Sequence, residues 1–502
     1  MTLSRLLEGV SVTKIFQMVY GRLVVTSDIE ISGIQYDSRK IRRGELFVAI
    51  RGTVVDGHRF IGDAVQNGAC AVVVDDDAVL DDAFFLHSGV TKIVVPDSRQ
   101  ALARISVNYY SNPSRRLHLI GVTGTNGKTT TTYLLRSILE ESGKKVGLIG
   151  TIQYCIGDEA LSAVHTTPES LELNQLLGTM VSKGCSAAVM EVSSHALSMS
   201  RVYGLEFRTA VFTNLTQDHL DFHGSMEEYF RAKKLLFDGL STEAYAVANI
   251  DDGYGRRIVE GTRAHTLMYG VGPGAHVRAY DVQMDIQGMK FSIHHNNTTR
   301  MVQSALTGQF NVANISAAYA TGLVLDIPET VIASGIARMK SVRGRFEQIT
   351  SPNGWTAVVD YAHTPDALEN CLRTIHGILS SSRKGRVITV FGCGGNRDKG
   401  KRPLMGKIAS MMSDITIVTS DNPRDEDPQT IINDIMAGVV SGSNVYTEIS
   451  RRKAISTGLE FAGAGDVVLV AGKGHEDYQV IGNTRAHFDD REEIEKFIRN
   501  DT

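Results

Sequence analysis

The sequence predicts an α/β fold in which parallel-rich sheets carry helices on both faces. Short apolar runs alternate with helical segments along much of the 502 residues. A glycine-rich loop, residues 121–130, stands between one apolar run and the helix that follows it. The same alternation starts again after Arg345, which indicates a second α/β sheet.

Three regions follow from this alternation, and we place their boundaries at residues 1–100, 101–342 and 343–502. The first region has Gly and Asp turns and two β-branched runs, residues 69–74 and 92–95. In the second region we expect strands at residues 117–122, 145–149, 187–192, 209–215 and 245–250. In the third region we expect strands at residues 356–360, 386–391, 414–420 and 466–471.

The composition argues against several classes of protein. A net charge of −4 gives no electrostatic case for nucleic-acid binding. No apolar stretch reaches the length that crosses a membrane, and the first residues lack the layout of a signal peptide. The five cysteines form no CxxC pair, so we expect neither a zinc site nor a disulfide framework. These features predict a cytoplasmic protein with no nucleic-acid partner and no membrane insertion.

The glycine-rich loop predicts a phosphate-binding site. An apolar strand precedes the loop and a helix, residues 129–139, follows it, which is the setting of a P-loop. Glycines let backbone N–H groups approach a phosphate, and the helix N-terminus adds positive potential. Lys128 is expected to reach the β- and γ-phosphates of ATP, and Thr129 to hold Mg²⁺. The loop departs from the Walker spacing because Gly121 lies one residue too early.

Polar clusters follow the carboxyl ends of several predicted strands, where open α/β sheets bind their ligands. Glu191 ends one strand and is a candidate Mg²⁺ ligand. The loop after the next strand holds Asp218, His219, Asp221 and His223, and imidazole is a common metal ligand. Each cluster also fits a helix cap or an ordinary polar loop, so the P-loop is what favours metal binding here.

The helix predicted over residues 227–237 contains two adjacent lysines. On a helical wheel, Lys233 lies roughly 40° from the centre of the apolar face and Lys234 roughly 140° from it. Lys233 is therefore expected to point to the interior and Lys234 to solvent. A buried lysine needs a partner or a chemical change. An ion pair with a carboxylate would satisfy Lys233, and so would carbamylation by CO₂, which yields an anionic metal ligand.

The third region places two arginines and a glutamate after its predicted strands. Arg424 lies in an Asp-Asn-Pro-Arg turn and offers a fork that binds a carboxylate bidentately. Arg397 lies in a glycine-rich loop, and Glu476 is placed to hold an ammonium group. This set suits an amino acid with carboxylate and amine ends, although a turn with a surface arginine explains Arg424 equally well.

Together these motifs resemble the Mur ligase family over nearly the whole chain. The matching segments, in the family's order, are Gly124-Thr125-Asn126-Gly127-Lys128-Thr129-Thr130, the strand end at Glu191, Asp218-His219-Leu220-Asp221, Tyr229-Phe230-Arg231-Ala232-Lys233, Asn311-Val312-Ala313-Asn314, Gly344-Arg345-Phe346-Glu347 and Asp360-Tyr361-Ala362-His363-Thr364-Pro365. Four further segments resemble the members that add diaminopimelate: Asp421-Asn422-Pro423-Arg424, Gly472-Lys473-Gly474-His475-Glu476, Asp37-Ser38-Arg39-Lys40 and His165-Thr166-Thr167-Pro168.

The resemblance implies a fold of three domains. These are an N-terminal UDP-substrate domain, a central P-loop ATPase domain with a parallel-rich sheet, and a C-terminal Rossmann-like domain that binds the amino acid. It also implies an ATP-dependent amide ligation in peptidoglycan synthesis, and hence a part in cell shape and division. ATP would phosphorylate the D-glutamate γ-carboxylate of a UDP-muramoyl dipeptide, and the amine of diaminopimelate would attack the acyl phosphate.

Residue roles follow from the same resemblance. The implied ATP contacts are Gly124, Thr125, Asn126, Gly127, Lys128, Thr129, Thr130, Asn311, Arg345 and Asp360. The implied contacts to the UDP-muramoyl dipeptide are Ser38, Thr166, Thr167, Ser193 and Arg201. The implied contacts to diaminopimelate are Arg397, Asp421, Asn422, Pro423, Arg424, Gly472 and Glu476. The implied catalytic residues are Lys128, Glu191, His219 and Lys233. The implied Mg²⁺ ligands are Thr129, Glu191, His219 and Lys233, the last as a CO₂-derived carbamate.

The sequence departs from the family pattern in three places. His165 stands where an Asn is expected, Met199 stands where a polar residue could contact substrate, and residues 53–55 are atypical for the uracil-side loop. Three other functions compete with the implied one. They are a Mur ligase that adds L-lysine, a folylpolyglutamate-type ligase and a P-loop ATPase that is not a ligase. The muramoyl-side motifs and Arg424 argue against the folylpolyglutamate-type ligase, and Arg424 with Glu476 argues against the lysine-adding ligase. The Lys233 helix and the arginines of the third region have no obvious use in an ATPase that is not a ligase.

Overall fold

The computed structural model describes residues 1–16, 18–19, 22–23, 28–52, 55–382 and 385–501. The chain forms two compact units. One consists of Met1–Gly121 and Lys145–Arg208, and the other of Val122–Lys144 and Thr209–Thr502. The three boundaries expected from the sequence, at residues 1–100, 101–342 and 343–502, remain a prediction.

The first unit begins with a five-stranded sheet made of short apolar strands. From edge to edge the strands are Lys14–Phe16, Thr91–Val94, Ala71–Val74, Leu46–Val48 and Ile34–Gln35. Every neighbouring pair is parallel except the first. Helices of this part are Leu3–Leu6, Ile61–Gln66, Asp82–Ser88 and Ser98–Tyr109, and a small ladder pairs Met18–Val19 with Arg22–Leu23. The two β-branched runs expected from the sequence form two adjacent strands of this sheet.

A second group of strands completes the first unit. Its order is Glu159–Ser162, Gln153–Ile156, Val146–Ile149 and Ala187–Glu191, followed by His118–Thr123, along which the chain passes into the second unit. Its helices are Ser170–Ser182 and Ser194–Ser198. Gly121 lies in the strand His118–Thr123, where a Cβ atom would stand 2.8 Å from the Phe207 ring. This glycine therefore permits close packing of the strand, which accounts for its position outside the Walker spacing.

The second unit contains strands ordered Thr209–Phe212, Tyr245–Asn249, His265–Gly270, Val277–Asp285, Gly288–His295 and Thr298–Ser304. The first four are parallel and the last two add antiparallel. Its helices are Lys128–Glu141, Leu220–His223, Met226–Asp238, Gly255–Ile258, Gln309–Val324 and Glu329–Arg338. The P-loop helix and the lysine-bearing helix expected from the sequence are both present, with ends that differ by one or two residues.

A separate six-stranded sheet occupies the last third of the chain. Its order is Glu347–Thr350, Thr356–Asp360, Val467–Ala471, Val387–Phe391, Ile415–Thr419 and Val445–Glu448. All neighbours except the first pair are parallel. Helices Pro365–Ser382, Lys401–Met412, Pro428–Met436, Arg451–Glu460 and Asp490–Asp501 accompany it, with a hairpin of Tyr478–Ile481 and Thr484–His487.

The parallel strands of this sheet fix where a ligand can bind. The central strands are buried along their whole length, as expected for a parallel sheet that is covered on both faces. Their carboxyl ends lie at one edge, so the loops at residues 392–398, 420–426 and 472–476 lie side by side. In the described part of the chain, no helix is long and apolar enough to cross a membrane.

Candidate active site

The glycine-rich loop joins the strand His118–Thr123 to the helix Lys128–Glu141, as the sequence predicts. Gly124 and Gly127 have φ values of +152° and +86°, which residues with side chains rarely adopt. Space is equally restrictive, because a Cβ atom at Gly124 would collide with Thr213 Oγ1 and one at Gly127 with Asn314 Oδ1. Both positions therefore require glycine.

Asn126 fastens the loop to its surroundings. Its backbone N–H donates to Asn214 Oδ1 at 2.9 Å, and its carbonyl accepts from Thr213 Oγ1 at 2.6 Å. Its side-chain amide donates to Asp366 Oδ2 at 2.9 Å. Asp366 begins the first helix of the C-terminal sheet region, so Asn126 ties the P-loop to that region within the second unit.

Lys128 places a positive charge on the loop itself. Its Nζ donates to the carbonyl oxygens of Gly124 and Thr125, at 2.9 and 2.8 Å. Thr129 is the next residue, and its hydroxyl accepts from Arg345 Nη2 at 3.0 Å. Three of the residues predicted to contact ATP, from two distant parts of the sequence, therefore lie together.

Arg345 lies over an aromatic ring and interacts electrostatically with a buried carboxylate. Its guanidinium lies 4.6 Å from the centroid of the Tyr361 ring, and its Nε is buried with no hydrogen-bond partner among the described residues. Burial raises the pKa of Asp360, although Arg345 and the Phe346 N–H, which donates to Asp360 Oδ2 at 2.6 Å, act to lower it. This cluster puts an arginine with spare donor capacity beside the P-loop threonine.

Lys233 is buried in the helix Met226–Asp238 and is only 1% exposed. Its Nζ donates to Gly124 O at 2.9 Å and lies 4.5 Å from the centroid of the Tyr229 ring. Among the described residues no carboxylate lies within 4.0 Å of it, so they offer no ion-pair partner. Burial lowers the pKa of Lys233, and the Lys128 charge lowers it further. The ammonium groups of both lysines approach the same carbonyl oxygen.

His219 stands near this cluster in the loop before the same helix. It has a left-handed backbone, with φ +54°, and its Nε2 lies 3.3 Å from Asp218 Oδ2. Burial lowers the pKa of His219 to about 4. Burial acts to raise the pKa of Asp218, but the basic side chains around it, His363 first among them, bring it below its usual value. A neutral imidazole at physiological pH is the form that ligates metals.

Asn311 lies one step behind the loop. Its Nδ2 donates to Thr307 O at 2.8 Å, and its Oδ1 accepts from Asn314 Nδ2 at 2.9 Å. Asn314 is the residue whose Oδ1 faces Gly127. The structure therefore gives Asn311 the task of orienting Asn314, while a direct contact of Asn311 with ATP stays a prediction.

The loops after the C-terminal strands bring Asn422 and Glu476 together. Asn422 Nδ2 donates to Glu476 Oε2 at 2.7 Å, and Asn422 Oδ1 accepts from the Val480 N–H at 2.9 Å. Gly472 has φ +117°, and a Cβ atom there would stand 2.5 Å from Asp421 Oδ2. Burial and the nearby Asp421 carboxylate raise the pKa of Glu476. Four of the residues predicted to hold the amino acid thus form one cluster.

Arg424 reaches the neighbouring loop. It has a left-handed backbone, with φ +51°, and its Nη1 donates to Gly395 O at 2.6 Å. Its Nη2 and Nε donate to no described residue, so they remain available to a ligand. Arg397, on the same neighbouring loop, is exposed. Pro423 precedes Arg424 and is buried.

In the first unit, Glu191 is engaged by a threonine. Glu191 Oε1 accepts from the Thr151 N–H and Oε2 from the Thr151 hydroxyl, both at 2.9 Å, and Thr151 Oγ1 lies 3.1 Å from Thr166 Oγ1. Thr167 donates to the Glu191 carbonyl at 2.8 Å and accepts from the Ser193 N–H at 3.1 Å. Glu191 thus shares one polar cluster with three residues predicted to bind the UDP-substrate.

Arg201 closes this cluster of the first unit. Its Nη1 donates to Thr167 O at 3.0 Å, and its Nε lies 3.3 Å from Glu169 Oε2. Met199 lies beside it, with Sδ 3.4 Å from Arg201 Nη2, so this departure from the family pattern contacts a predicted substrate residue. The backbone of His165 is bound to the Tyr154 hydroxyl.

Ser38 lies apart from these contacts. It is buried and its carbonyl accepts from Asn67 Nδ2 at 2.9 Å. Thr53 and Val54, of the atypical loop, lie outside the described residues, and Val55 is exposed.

Three family models match the chain in succession. The Mur ligase family catalytic domain matches residues 30–110, the Mur ligase middle domain residues 122–322, and the Mur ligase glutamate ligase domain residues 344–474. The chain belongs to the Mur ligase family.

Curated Mur ligases resemble it along nearly their full length. The protein from Clostridium botulinum named UDP-N-acetylmuramoyl-L-alanyl-D-glutamate–2,6-diaminopimelate ligase is 45% identical over 94% of this chain and 95% of its own. The protein of the same name from Phocaeicola vulgatus is 43% identical over 100% of both chains. A solved structure of a ligase with that name is 32% identical, with a TM-score of 0.67, and covers 96% of this chain and 98% of its own.

A more distant Mur ligase shares the fold. MurF from Acinetobacter baumannii is 19% identical, with a TM-score of 0.66, and covers 99% of this chain and 98% of its own. The three-domain α/β architecture expected from the sequence is thereby confirmed.

A magnesium ion in a Mur ligase site would rely on more than side chains. Within the described ranges, no group of three His, Cys, Asp or Glu side chains could hold a metal ion. Mg²⁺ is usually bound by one or two carboxylates together with substrate phosphates and water. In the second unit, the neutral His219 and the Thr129 hydroxyl are donors of the kind that this sparse mode of binding uses, and in the first unit the Glu191 carboxylate is another.

Sequence reasoning missed several residues that shape this Mur ligase site. Lys473, Arg402 and Glu426 are buried or nearly so, and each binds a loop that carries a predicted amino-acid contact. Lys473 lies inside a motif that the sequence already singled out. The sequence does not reveal its role, because a lysine between two glycines usually lies at the surface.

Proposed function

We propose that this chain is the ATP-dependent ligase that adds meso-2,6-diaminopimelate to the D-glutamate γ-carboxylate of UDP-N-acetylmuramoyl-L-alanyl-D-glutamate. The observation that carries the proposal is the 43–45% identity, over essentially whole chains, to proteins named for that reaction. The loops of the C-terminal sheet support it. Asn422, on the loop that carries Arg424, is hydrogen-bonded to Glu476, so a cation and a carboxylate lie on adjoining loops. An amino acid with both charges would need such a pair.

The reaction needs two anions to meet. The substrate carboxylate oxygen attacks the γ-phosphorus of ATP, the bond to ADP breaks, and an acyl phosphate forms. Lys128 and Arg345 would offset this repulsion, and their hydrogen bonds to the P-loop and to its threonine support that role. Bound Mg²⁺ would add charge compensation at the phosphates. The amine of diaminopimelate then attacks the acyl carbon, loses a proton, and expels phosphate to leave the amide.

Carbamylation of Lys233 is part of the proposal. A neutral lysine amine attacks CO₂, a C–N bond forms, and a proton is released to give an anionic carbamate. The geometry supports this step because Lys233 has no carboxylate partner among the described residues and shares its acceptor with Lys128. Its lowered pKa supplies the neutral amine that the step requires. The product would replace one of two neighbouring cations by an anion that can ligate Mg²⁺.

The remaining site roles are proposed as the sequence suggests them. Glu191 and His219 are Mg²⁺ ligands, and the first-unit cluster binds the UDP-muramoyl dipeptide through Ser38, Thr166, Thr167, Ser193 and Arg201. Asn311 and Asp360 serve ATP, with Asn311 acting through Asn314. We also place the reaction in the cytoplasm, where ATP and a UDP-linked precursor are supplied.

Two related activities are weaker candidates. A lysine-adding ligase would have no use for the donors of Arg424 that no described residue occupies, because lysine lacks the second carboxylate. A folylpolyglutamate synthase from Mycobacterium tuberculosis shares the fold at 14% identity and a TM-score of 0.62, which supports architecture alone.

An amino-acid panel tests the proposal directly. Purified protein is given ATP, Mg²⁺, UDP-N-acetylmuramoyl-L-alanyl-D-glutamate and either meso-diaminopimelate, L-lysine, L-ornithine or L-glutamate, and phosphate release and UDP-product are measured. Product should form with diaminopimelate, and phosphate release should need both acceptor and amino acid. Equal use of lysine would overturn the choice of amino acid, and phosphate release without either substrate would indicate an ATPase.

A further inference from the structure

Lys473 is buried at the centre of the amino-acid loops. Its side chain is 0% exposed, yet it follows directly after the strand Val467–Ala471 and one glycine. The flanking Gly472 and Gly474 have φ values of +117° and +53°. A Cβ atom at Gly474 would lie 2.7 Å from the Tyr361 Cβ, so the turn is packed closely on both sides of the lysine.

The ammonium of Lys473 binds two predicted amino-acid contacts at once. Its Nζ donates to Asn422 Oδ1 and to Glu476 Oε2, each at 3.2 Å. Asn422 Nδ2 donates to the same Glu476 oxygen at 2.7 Å, so the three side chains form a closed triangle. Lys473 and the Val480 N–H together fix which way the Asn422 amide points, because only the amide oxygen can accept from these donors.

The triangle leaves one oxygen of Glu476 available. Oε2 accepts from both Lys473 and Asn422, whereas Oε1 accepts from no described residue. The Glu476 side chain is 15% exposed, and Oε1 is not among the fully buried polar atoms without a partner, which means that solvent can reach it. One carboxylate oxygen is therefore fixed by the protein, and the other is open to a ligand.

The surroundings of Glu476 oppose its charge. Burial raises its pKa most, and the Asp421 carboxylate, 4.0 Å from Lys473 Nζ, raises it further. Lys473 acts in the opposite direction. The other titratable or charged groups that interact with Glu476 are Arg451, Tyr361 and Tyr478. Arg451 is already paired with Asp490 at 2.7 Å, so Lys473 is the cation in direct contact with Glu476.

We propose that Lys473 is a positioning residue for amino-acid selection: it keeps Glu476 ionised and turned so that Oε1 receives the ammonium of the incoming amino acid. The inference rests on the proposed function and deepens it. Asp421 and Glu476 carry two negative charges and Lys473 one positive charge, so the cluster is left with one net negative charge for one ammonium. Without Lys473 the two carboxylates face each other, and Glu476 takes up a proton more readily.

The expected signature is a pH dependence that a purely structural role would not produce. Removing the cation raises the pKa of Glu476. The carboxyl is neutral below that pKa and cannot pair with an ammonium, so the loss of binding grows as pH falls. Lys473→Met should raise the KM for diaminopimelate on the order of tenfold at pH 7. The increase should shrink toward pH 8.5 and grow toward pH 6, while the KM for ATP stays near its wild-type value.

Four further variants sharpen the test. Lys473→Arg keeps the charge and should restore a flat profile between pH 6 and pH 8.5. Glu476→Gln should raise the KM without any pH dependence in that range, and adding Lys473→Met to it should change little. Lys473→Met/Asp421→Asn removes one charge of each sign, so the rise of the KM at acidic pH should begin at a lower pH than in Lys473→Met. This double variant replaces the single variant if Lys473→Met does not fold.

The outcomes separate this inference from the proposed function. If the wild type does not ligate diaminopimelate at all, the proposed function fails. If the wild type does, but folded Lys473→Met keeps a wild-type KM and pH profile, only the role of Lys473 is overturned. A KM increase of equal size at every pH would also overturn it, because that result indicates lost packing rather than a lost charge on Glu476.

Discussion

The P-loop and the loops of the C-terminal sheet handle positive charge in opposite ways. At the P-loop, Lys128 and Lys233 both direct their ammonium groups at the carbonyl oxygen of Gly124. Beside the C-terminal strands, Lys473 in a loop and Arg402 in the helix Lys401–Met412 bind carboxylates at 2.8 to 3.2 Å. A backbone carbonyl offsets less of a cation's charge than a carboxylate does.

This difference matches the ligands that the two places are proposed to bind. A triphosphate and a carboxylate bring several negative charges, which Lys128, Arg345 and bound Mg²⁺ would offset. A free amino acid brings equal numbers of both charges, so a site that is nearly neutral and rigid discriminates by position instead. The comparison predicts that substitutions at the P-loop act on turnover, whereas substitutions at the C-terminal loops act on the KM for the amino acid.

The largest effect is expected from Lys128→Ala. It removes the cation that we propose to face the transferring phosphate, and losing one such transition-state contact costs on the order of 10²–10³-fold in kcat. Ligation should fall to the detection limit while the melting temperature stays close to that of the wild type. If the folded variant keeps a turnover within a few fold of the wild type, the P-loop lysine does not act on turnover, and this half of the comparison is wrong.

Lys233→Ala should come next, with a loss of roughly 10²-fold in kcat. Lys234→Ala is the matched control, because this neighbour on the same helix is half-buried and paired with Asp238. Short carboxylic acids should restore part of the Lys233→Ala activity if a carbamate is what was lost. A carbon-labelled carbamate signal after exposure to labelled CO₂ should appear in the wild type alone. Crystallographic density for an unmodified amine at high occupancy, under ambient CO₂, would contradict the modification.

The central strands of the sheets could be predicted from the sequence because they are buried on both faces. Continuous apolar runs such as Ala187–Glu191 and Val467–Ala471 have that character and were expected within one or two residues. The strands Val277–Asp285 and Thr298–Ser304 were not expected. Each alternates or exposes polar side chains, so no apolar run marks them in the sequence.

The candidate site divides in the same manner. The sequence motifs predicted the P-loop, whose glycines, lysine and threonine act through local geometry that spacing alone encodes. They did not predict that Lys233 would have no carboxylate within 4.0 Å among the described residues. Nor did they predict that Lys473 would bind one amide oxygen and one carboxylate oxygen. Those facts depend on which distant segments meet, and one sequence does not contain them.

Arg424→Ala tests the amino-acid side of the comparison. Diaminopimelate has two carboxylates and lysine has one. The Nη2 and Nε donors of Arg424, which bind no described residue, can bind the additional carboxylate. Arg424 is half-buried, and a hydrogen bond to a charged group contributes about 1.5–3 kcal/mol, so the KM for diaminopimelate should rise by roughly 10- to 10²-fold. The KM values for ATP and the UDP-substrate should change little, as should all three in the control Arg373→Ala, an exposed arginine paired with Glu369. An unchanged KM for diaminopimelate in Arg424→Ala would remove Arg424 from the amino-acid site.

The smallest effect concerns the carboxylate that holds the two amino-acid loops together. Arg402 is fully buried and binds both oxygens of Glu426 at 3.0 Å, together with Asp434 at 2.8 Å. Glu426 also accepts the Asn396 N–H at 2.5 Å, next to Arg397. Glu426 therefore links the loop of Arg424 to the loop of Arg397 without being one of the predicted amino-acid contacts.

Glu426→Gln should raise the KM for diaminopimelate by only a few fold and lower the melting temperature by a few degrees, because it weakens this link but keeps the shape of the side chain. The hydrogen bond from Arg402 lowers the pKa of Glu426 from 4.5 to about 2. A carboxyl whose pKa is depressed in the folded state adds stability above its unfolded pKa and loses it as pH falls toward the folded pKa. The difference in melting temperature between wild type and Glu426→Gln should thus be constant from about pH 8 to pH 5.5 and should narrow between about pH 4.5 and pH 3. A difference that stays constant down to pH 3 would mean that the ion pair with Arg402 does not stabilise the folded chain. Lys473 would then be the one remaining example of a cation that a carboxylate stabilises in the C-terminal half of this comparison.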